Sequence, residues 1–287
     1  MIETLKNDYL TIQINSLGAE LQTIIDQDQI HRLHDGNPQF WGRRSPILFP
    51  IISRFVDQKY TYQNKEYHLS THGFARNKEF VEYRKTSNSI TYLLEDDEET
   101  FQSYPFHFQF FVTYTLFQNV IEVSFKIKNT GEQKMYFMVG GHPAFKVSLY
   151  PNEKYEDYYI EFEKEETVEK TKLNGNYLSA ETEPFLNHQK IISLKYRMFN
   201  PDAFVMKGLV SNHVELKSKK NAKKIRFYFQ EFEKLAFWAP LNVDAPFVCF
   251  EPWNGISKNY VDPIEKKGLL EVEPNQEYEC SFTIEVI

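Results

Sequence analysis

A chain of 287 residues with 41% apolar and 16% aromatic side chains holds enough hydrophobic material for a sizeable core, which excludes a disordered polymer. Its formal charge of −7 and isoelectric point near 5.7 argue against nucleic acid or a membrane surface as partner, because either needs a positive field. The two cysteines, Cys249 and Cys280, supply neither a disulfide framework nor a four-thiolate metal site and fit a reducing, cytoplasmic setting. The N-terminus lacks a basic stretch followed by an apolar block, and no run approaches the roughly 18 apolar residues needed to span a bilayer.

Taken along the chain, apolar residues alternate with period two, the signature of half-buried strands. The series runs Leu10, Ile12, Ile14; then Phe106, Phe108, Phe110, Val112, Tyr114, Leu116; then Val123, Phe125, Ile127; then Ile225, Phe227, Phe229; and finally Tyr278, Cys280, Phe282, Ile284, Val286. Phenylalanine and tyrosine, at 25 and 18 copies, suit pleated surfaces more than helices. Segments 106–117 and 120–128 are separated by Gln118 and Asn119 alone, the spacing of a tight antiparallel hairpin. Turn chemistry recurs at Asp35-Gly36-Asn37-Pro38, Asn129-Thr130-Gly131, Asn174-Gly175-Asn176 and Asn254-Gly255. One short helix is expected from Asp96 to Tyr104, stopped by Pro105.

No linker, low-complexity run or repeat interrupts the pattern. A boundary would have to hide in the charged stretch 161–171, and a single domain over 1–287 is the simpler reading. The basic run from Lys217 to Lys224 lies between two alternating segments and reads as a solvated hairpin tip. Many strands and little helix at this length predict an all-β fold, a large antiparallel two-sheet β-sandwich.

Glycine-rich phosphate loops, dinucleotide fingerprints, metalloprotease helices and nucleophile elbows are all missing, so nothing supports a cofactor. The pairs His31-x-x-His34 and His68-x-x-x-His72 are spaced like metal ligands, but no helix or carboxylate cluster backs them, and no metal is expected. What remains is a set of polar residues in apolar or turn settings. Arg54 closes the apolar run after Trp41-Gly42-Arg43-Arg44 and reads either as an edge residue or as a fork of donors for a ligand oxygen. His72 precedes Gly73, and its imidazole is either structural or open to a ligand. His142 follows two glycines and precedes Pro143, an unusual place for a core histidine and one suited to proton transfer near neutrality.

Glu251 shares one strand face with Phe247 and Cys249, so it either closes the strand with a salt bridge or is a carboxyl whose pKa burial raises into the range of a general base. Cys249 has no adjacent cation and reads as packing. Trp41 and Trp253 read either as core or, since both sit in glycine-containing turns, as exposed indoles that stack on the C–H face of a sugar. Asp202 reads as a turn former, with hydroxyl binding as the alternative.

In order, Arg54, His72-Gly73-Phe74-Ala75-Arg76, Gly141-His142-Pro143-Ala144-Phe145 and Glu251-Pro252-Trp253 resemble the motif series of the aldose 1-epimerases, or galactose mutarotase-like proteins, and most closely their LacX-type branch. The resemblance implies an antiparallel β-supersandwich and cofactor-free interconversion of the α and β anomers of an aldose, a small-molecule sugar being the partner. It implies His142 as acid, Glu251 as base, Arg54 and His72 as substrate-holding residues and Asp202 as a hydroxyl ligand. The chain departs from galactose mutarotases in having Gly-His-Pro-Ala-Phe around the acid and His-Gly-Phe around the other histidine. An ionised Glu251 beside a protonated His142 is the expected working pair, each charge favouring the other.

Two other classes compete: a binding module that stacks sugar on Trp253 or Trp41 without turning it over, and a glycoside-processing enzyme using Asp202 and Glu251. A variant of the first reading takes a hexose 6-phosphate held by Arg43, Arg44 or Arg76. The sequence carries no reading of oligomeric state.

Overall fold

The computed structural model describes residues 1–174, 177–200, 202–255, 264–266 and 269–287. Gly175 and Asn176 of one expected turn lie outside them, and so does Pro201. Among the described residues no helix is long and apolar enough to cross a membrane.

The alternating segments become strands. Phe108–Phe117 and Val120–Asn129 pair antiparallel across Gln118 and Asn119. Gln118 takes the left-handed backbone position, φ 51°, and Asn119 is instead spent on the C-terminal strand: its amide donates to the Val286 carbonyl at 2.9 Å. The expected helix is Glu98–Ser103, capped by Asp97, whose carboxylate accepts from the Thr100 N–H at 2.7 Å.

One antiparallel ladder runs from the edge strand Val81–Lys85 through Ser89–Glu95, Phe108–Phe117, Val120–Asn129, Glu277–Val286, Lys224–Tyr228 and His213–Ser218. It continues through Tyr158–Asn174, Phe204–Lys207, Lys234–Trp238, Phe247–Asn254 and Val139–Gly141 to Ile47–Leu48. The charged stretch 161–171 is thus strand inside this ladder, paired with His213–Ser218 and Phe204–Lys207. Its charges are answered by cross-strand partners such as Lys217, which reaches Glu161 at 2.7 Å.

The sandwich forms by the ladder turning back on itself, as a long twisted sheet must; the hydrogen bonding is continuous along the whole ladder. Phe49, just past the last strand, packs on Phe110 near the other end, ring centroids 4.6 Å apart. Between the layers, edge-to-face and tilted contacts lead from Phe110 to Phe125, Phe282, Phe227, Phe250 and Phe237, each contributing about 0.5–1.5 kcal/mol beyond burial. A three-stranded sheet, Ile2–Lys6, Leu10–Asn15 and Glu20–Asp26, is fastened to this core by Tyr114, whose hydroxyl donates to the Ala19 carbonyl at 2.7 Å.

Candidate active site

Strand Phe247–Asn254 is buried on both sides, but its two faces differ. Val248 and Phe250 enter the main core, whereas Phe247 and Cys249 join a small cluster with Ala144 and Ala245 on the other face, the face that also carries Glu251. Two short strands lie along its edge: Val139–Gly141 pairs through Gly140 opposite Trp253, and Ala144–Lys146 through Ala144 opposite Cys249. Counting inward from both ladders puts position 142 opposite 251. His142 and Glu251 are therefore cross-strand neighbours, with Nε2 3.2 Å from Oε2. The close approach depends on glycine, because a Cβ on Gly140 would stand 2.5 Å from the Pro252 carbonyl oxygen. On the far side Glu251 faces Ala236, which leaves room beside the carboxyl.

His72 arrives from a loop bent back on the segment after Ile47–Leu48. Its N–H donates to the Ser53 carbonyl at 2.7 Å, and the Ser53 N–H donates to its Nδ1 at 3.1 Å. Nδ1 is thus an acceptor, which leaves the proton of the neutral ring on Nε2. The bend requires left-handed backbone at both His72, φ 63°, and Gly73, φ 70°, and a side chain at Gly73 would collide with the Phe49 carbonyl oxygen at 2.3 Å. Such a strained histidine costs on the order of 1–3 kcal/mol and is typical of functional sites.

These side chains line a cavity of about 190 Å³ together with Trp41, Ser53, Thr71, Arg76, Asp202, Ala203, Trp238 and Trp253. His142 is oriented by rings: Trp41 lies 4.7 Å, Trp238 5.6 Å and His72 5.8 Å from its centroid. Its Nδ1 is buried without a hydrogen bond, so Glu251 is the polar partner that fixes it. Among the described residues no group of three or more His, Cys, Asp or Glu is arranged to hold a metal.

Burial dominates the electrostatics. Loss of solvent pushes the His142 imidazolium down to about 3, with Arg76 and Arg43 adding to it, and holds His72 well below its ordinary value, helped by His142, Arg76 and Arg43. Burial raises the Glu251 carboxyl well above the usual range, and Asp202 raises it further; the Trp253 indole offsets this slightly without reaching hydrogen-bonding geometry. The expectation that the two charges hold each other ionised is corrected here. Neutral imidazole beside neutral carboxylic acid is the arrangement that burial favours.

Of the residues singled out in the sequence, His142, Glu251, His72, Asp202 and Trp253 converge on one cavity. Arg54 follows Ser53 of the wall and is half-buried, but its side chain is not among those lining the cavity. Trp253 is not an exposed turn residue. It is 3% exposed, because it continues the strand that carries Glu251, and Trp41 is the more open indole. Asp202 both faces the cavity and accepts from the Ala203 N–H at 2.8 Å. Sequence reasoning missed Trp238, which lies opposite Cys249 on the site face, and gave Arg76 only a minor part.

A family model described as aldose 1-epimerase matches residues 1–278. Protein LacX (plasmid) of Lactococcus lactis subsp. lactis is 35% identical over 279 residues, which cover 94% of this chain and 92% of that protein. The structure of a galactose mutarotase related enzyme from Lactobacillus acidophilus matches with a TM-score of 0.96 at 33% identity, covering 100% of this chain and 97% of the other. A galactose mutarotase-like protein from Lactobacillus casei ATCC 334 shares the fold, with a TM-score of 0.94 at 24% identity over 100% of both chains.

Proposed function

This chain belongs to the aldose 1-epimerase family, and from that premise we propose that it interconverts the α and β anomers of an aldose by moving protons through His142 and Glu251. Opening a cyclic hemiacetal takes one proton from the anomeric hydroxyl, gives one to the ring oxygen and breaks the bond between C1 and that oxygen. Both oxygens are bonded to C1, so their acid and base must stand close together. The 3.2 Å between His142 Nε2 and Glu251 Oε2 at the cavity wall is the observation that carries the reading.

Glu251 as carboxylate takes the anomeric proton while His142 as imidazolium protonates the ring oxygen. The open-chain aldehyde then stands beside neutral imidazole and neutral carboxylic acid. After rotation about C1–C2 the former ring hydroxyl attacks the opposite carbonyl face, its proton returns to His142, and Glu251 protonates the new anomeric oxygen. Atoms and charge balance, with no co-reactant. Burial favours the neutral pair before the sugar opens as well as after it, so the proton first crosses from Glu251 to His142 over the 3.2 Å between them, and the pair returns to its neutral form as the open chain is made.

From the cavity wall His72 offers its Nε2–H, Asp202 an acceptor and Trp253 an apolar face; Arg54, which the family resemblance also assigns to the substrate, would have to turn into the cavity from beside Ser53 to join them. These groups keep C1 in place while C1–C2 turns. A hydrolytic role for Asp202 and Glu251 leaves the imidazole in contact with Glu251 without a task. The test is exchange NMR on free aldoses, with release of reducing ends from disaccharides followed in parallel. Accelerated anomer exchange without hydrolysis is expected. Binding without acceleration would identify a binding module, and hydrolysis would overturn the assignment.

A further inference from the structure

We propose that Trp253 is the positioning residue of Glu251: its indole N–H closes on the carboxyl when Glu251 gives up its proton, and so holds the charged form in which that residue acts as base. This rests on the proton-relay reading above and assigns a further residue to it. Both side chains line the cavity. They stand two positions apart on strand Phe247–Asn254, on the same face. Trp253 is 3% exposed, and its Nε1 is buried with no acceptor in hydrogen-bonding geometry among the described residues. The ring is wedged against the strand that leads into His142. Gly140 is its partner opposite, and a Cβ there would stand 3.0 Å from Trp253 Cδ1, the carbon bonded to Nε1. The N–H edge therefore lies near the junction of the strand that carries Glu251 and the strand that leads into His142.

A buried donor left without an acceptor is costly, and packing alone does not call for it, since a phenylalanine ring has no such group. An indole N–H donates and cannot accept. It therefore complements a carboxylate better than a carboxylic acid, and hydrogen bonds to a charged partner are about twice as strong as neutral ones. The acid form of Glu251 leaves the donor idle, whereas the carboxylate engages it. Transfer of the proton from Glu251 to His142 creates that carboxylate, and the indole is the group that already counters the rise in the Glu251 proton affinity. The charged and titratable groups around Glu251 are His142 at 3.2 Å, Asp202, His72 and Arg76. On its own strand the Cys249 thiol is kept neutral by burial, and the strand on the far side brings Ala236. The flat face of the indole remains for the sugar, and its edge serves the base.

Two replacements separate the N–H from the ring: Trp253→Phe, and site-specific incorporation of benzothienylalanine in place of Trp253, which puts sulfur where the N–H was in a bicycle of the same shape. Each protein is checked by thermal melting. Exchange NMR on the preferred aldose is expected to show kcat lowered by about 10- to 100-fold in both, the worth of one hydrogen bond to a charged group. KM stays nearly unchanged in the benzothienylalanine protein. With isotope-labelled tryptophan, the indole resonance of Trp253 is assigned by its loss in either replacement. It is expected to move downfield as rising pH ionises Glu251 and to stay fixed in Glu251→Gln. Wild-type kcat in the benzothienylalanine protein overturns the proposal and leaves the relay standing. An indole resonance that ignores the Glu251 titration also overturns it. That second readout needs no turnover, so it decides the role of Trp253 even if no sugar is exchanged.

Discussion

Trp41 lies over the imidazole of His142, ring centroids 4.7 Å apart and planes inclined by 31°. The indole is itself held, because the buried His34 ring makes a hydrogen bond of 2.9 Å to the Trp41 carbonyl and packs on Phe247 at 4.2 Å. With no hydrogen bond at Nδ1 of His142, this ring contact orients the imidazole together with Glu251 at Nε2 and the Trp238 and His72 rings. Trp41→Ala is expected to lower the rate of anomer exchange by about 10- to 100-fold, the scale of a small misplacement of a reacting group. It also admits water, so the acid limb of the rate profile moves up toward the ordinary histidine value. Trp41→Phe retains most of the rate. Exchange NMR against pH reads both effects.

The pH profile of the wild type follows from the pair holding one proton. On acidification the second proton must go onto His142, whose affinity is pushed down to about 3. On alkalinisation the single proton leaves from Glu251, whose pKa is raised well above the carboxylate range. The expected kcat/KM therefore shows no inflection near the ordinary histidine value of about 6.5, an acid limb well below it and an alkaline limb above the usual carboxylate range. An acid limb at the ordinary histidine value would contradict the described burial.

Stability should depend on pH through the same histidines. His72 and His142 both have depressed pKa values in the fold. As pH falls below about 6.5 the unfolded chain takes up protons that the native state refuses. Their contribution is present above the unfolded pKa and is lost as pH falls toward the folded values. The proton held by the raised Glu251 carboxyl opposes this over the same range; two histidines against one carboxyl leave Tm decreasing with acidity in thermal melts between pH 7 and 5, and His72→Gln, which removes one of the two, is expected to abolish or reverse that decrease.

Gly140→Ala tests the close approach of the two strands. The added Cβ would meet the Pro252 carbonyl oxygen at 2.5 Å and the Ile52 and Trp253 side chains at 3.0 Å. Overpacking of this kind costs about 1–3 kcal/mol, and relief by separating the strands moves His142 away from Glu251. Urea titration and exchange NMR together are expected to show lower stability and lower rate. Gly42→Ala, with nothing within 4 Å of its Cβ, serves as the control for stability.

The strands were legible because one apolar face per strand repeats with period two: Phe108, Phe110, Val112 and Tyr114 are all buried, as the alternation requires. Glu251 and His142 were legible as oddities, polar groups where packing calls for none. Their contact was not, since it depends on the register between Val139–Gly141 and Phe247–Asn254, strands far apart in the chain with no shared hairpin turn to fix it. Trp238 likewise reaches the site through register, falling opposite Cys249. For Arg54 the direction of a long, flexible side chain follows from neighbours the sequence does not order, and the structure puts its neighbour Ser53, not Arg54, in the cavity wall. Trp253 was placed in a turn because Asn254-Gly255 carries turn chemistry, whereas Phe247–Asn254 remains a strand through both Pro252 and Trp253.

The most direct measurement is anomer exchange of the preferred aldose by NMR with Glu251→Gln and His142→Ala, each verified as folded. Both substitutions leave the cavity but remove one end of the proton relay. The account expects each to lower the catalysed rate by about 10² or more, the usual worth of a positioned acid or base. Either variant exchanging anomers at the wild-type rate would contradict it.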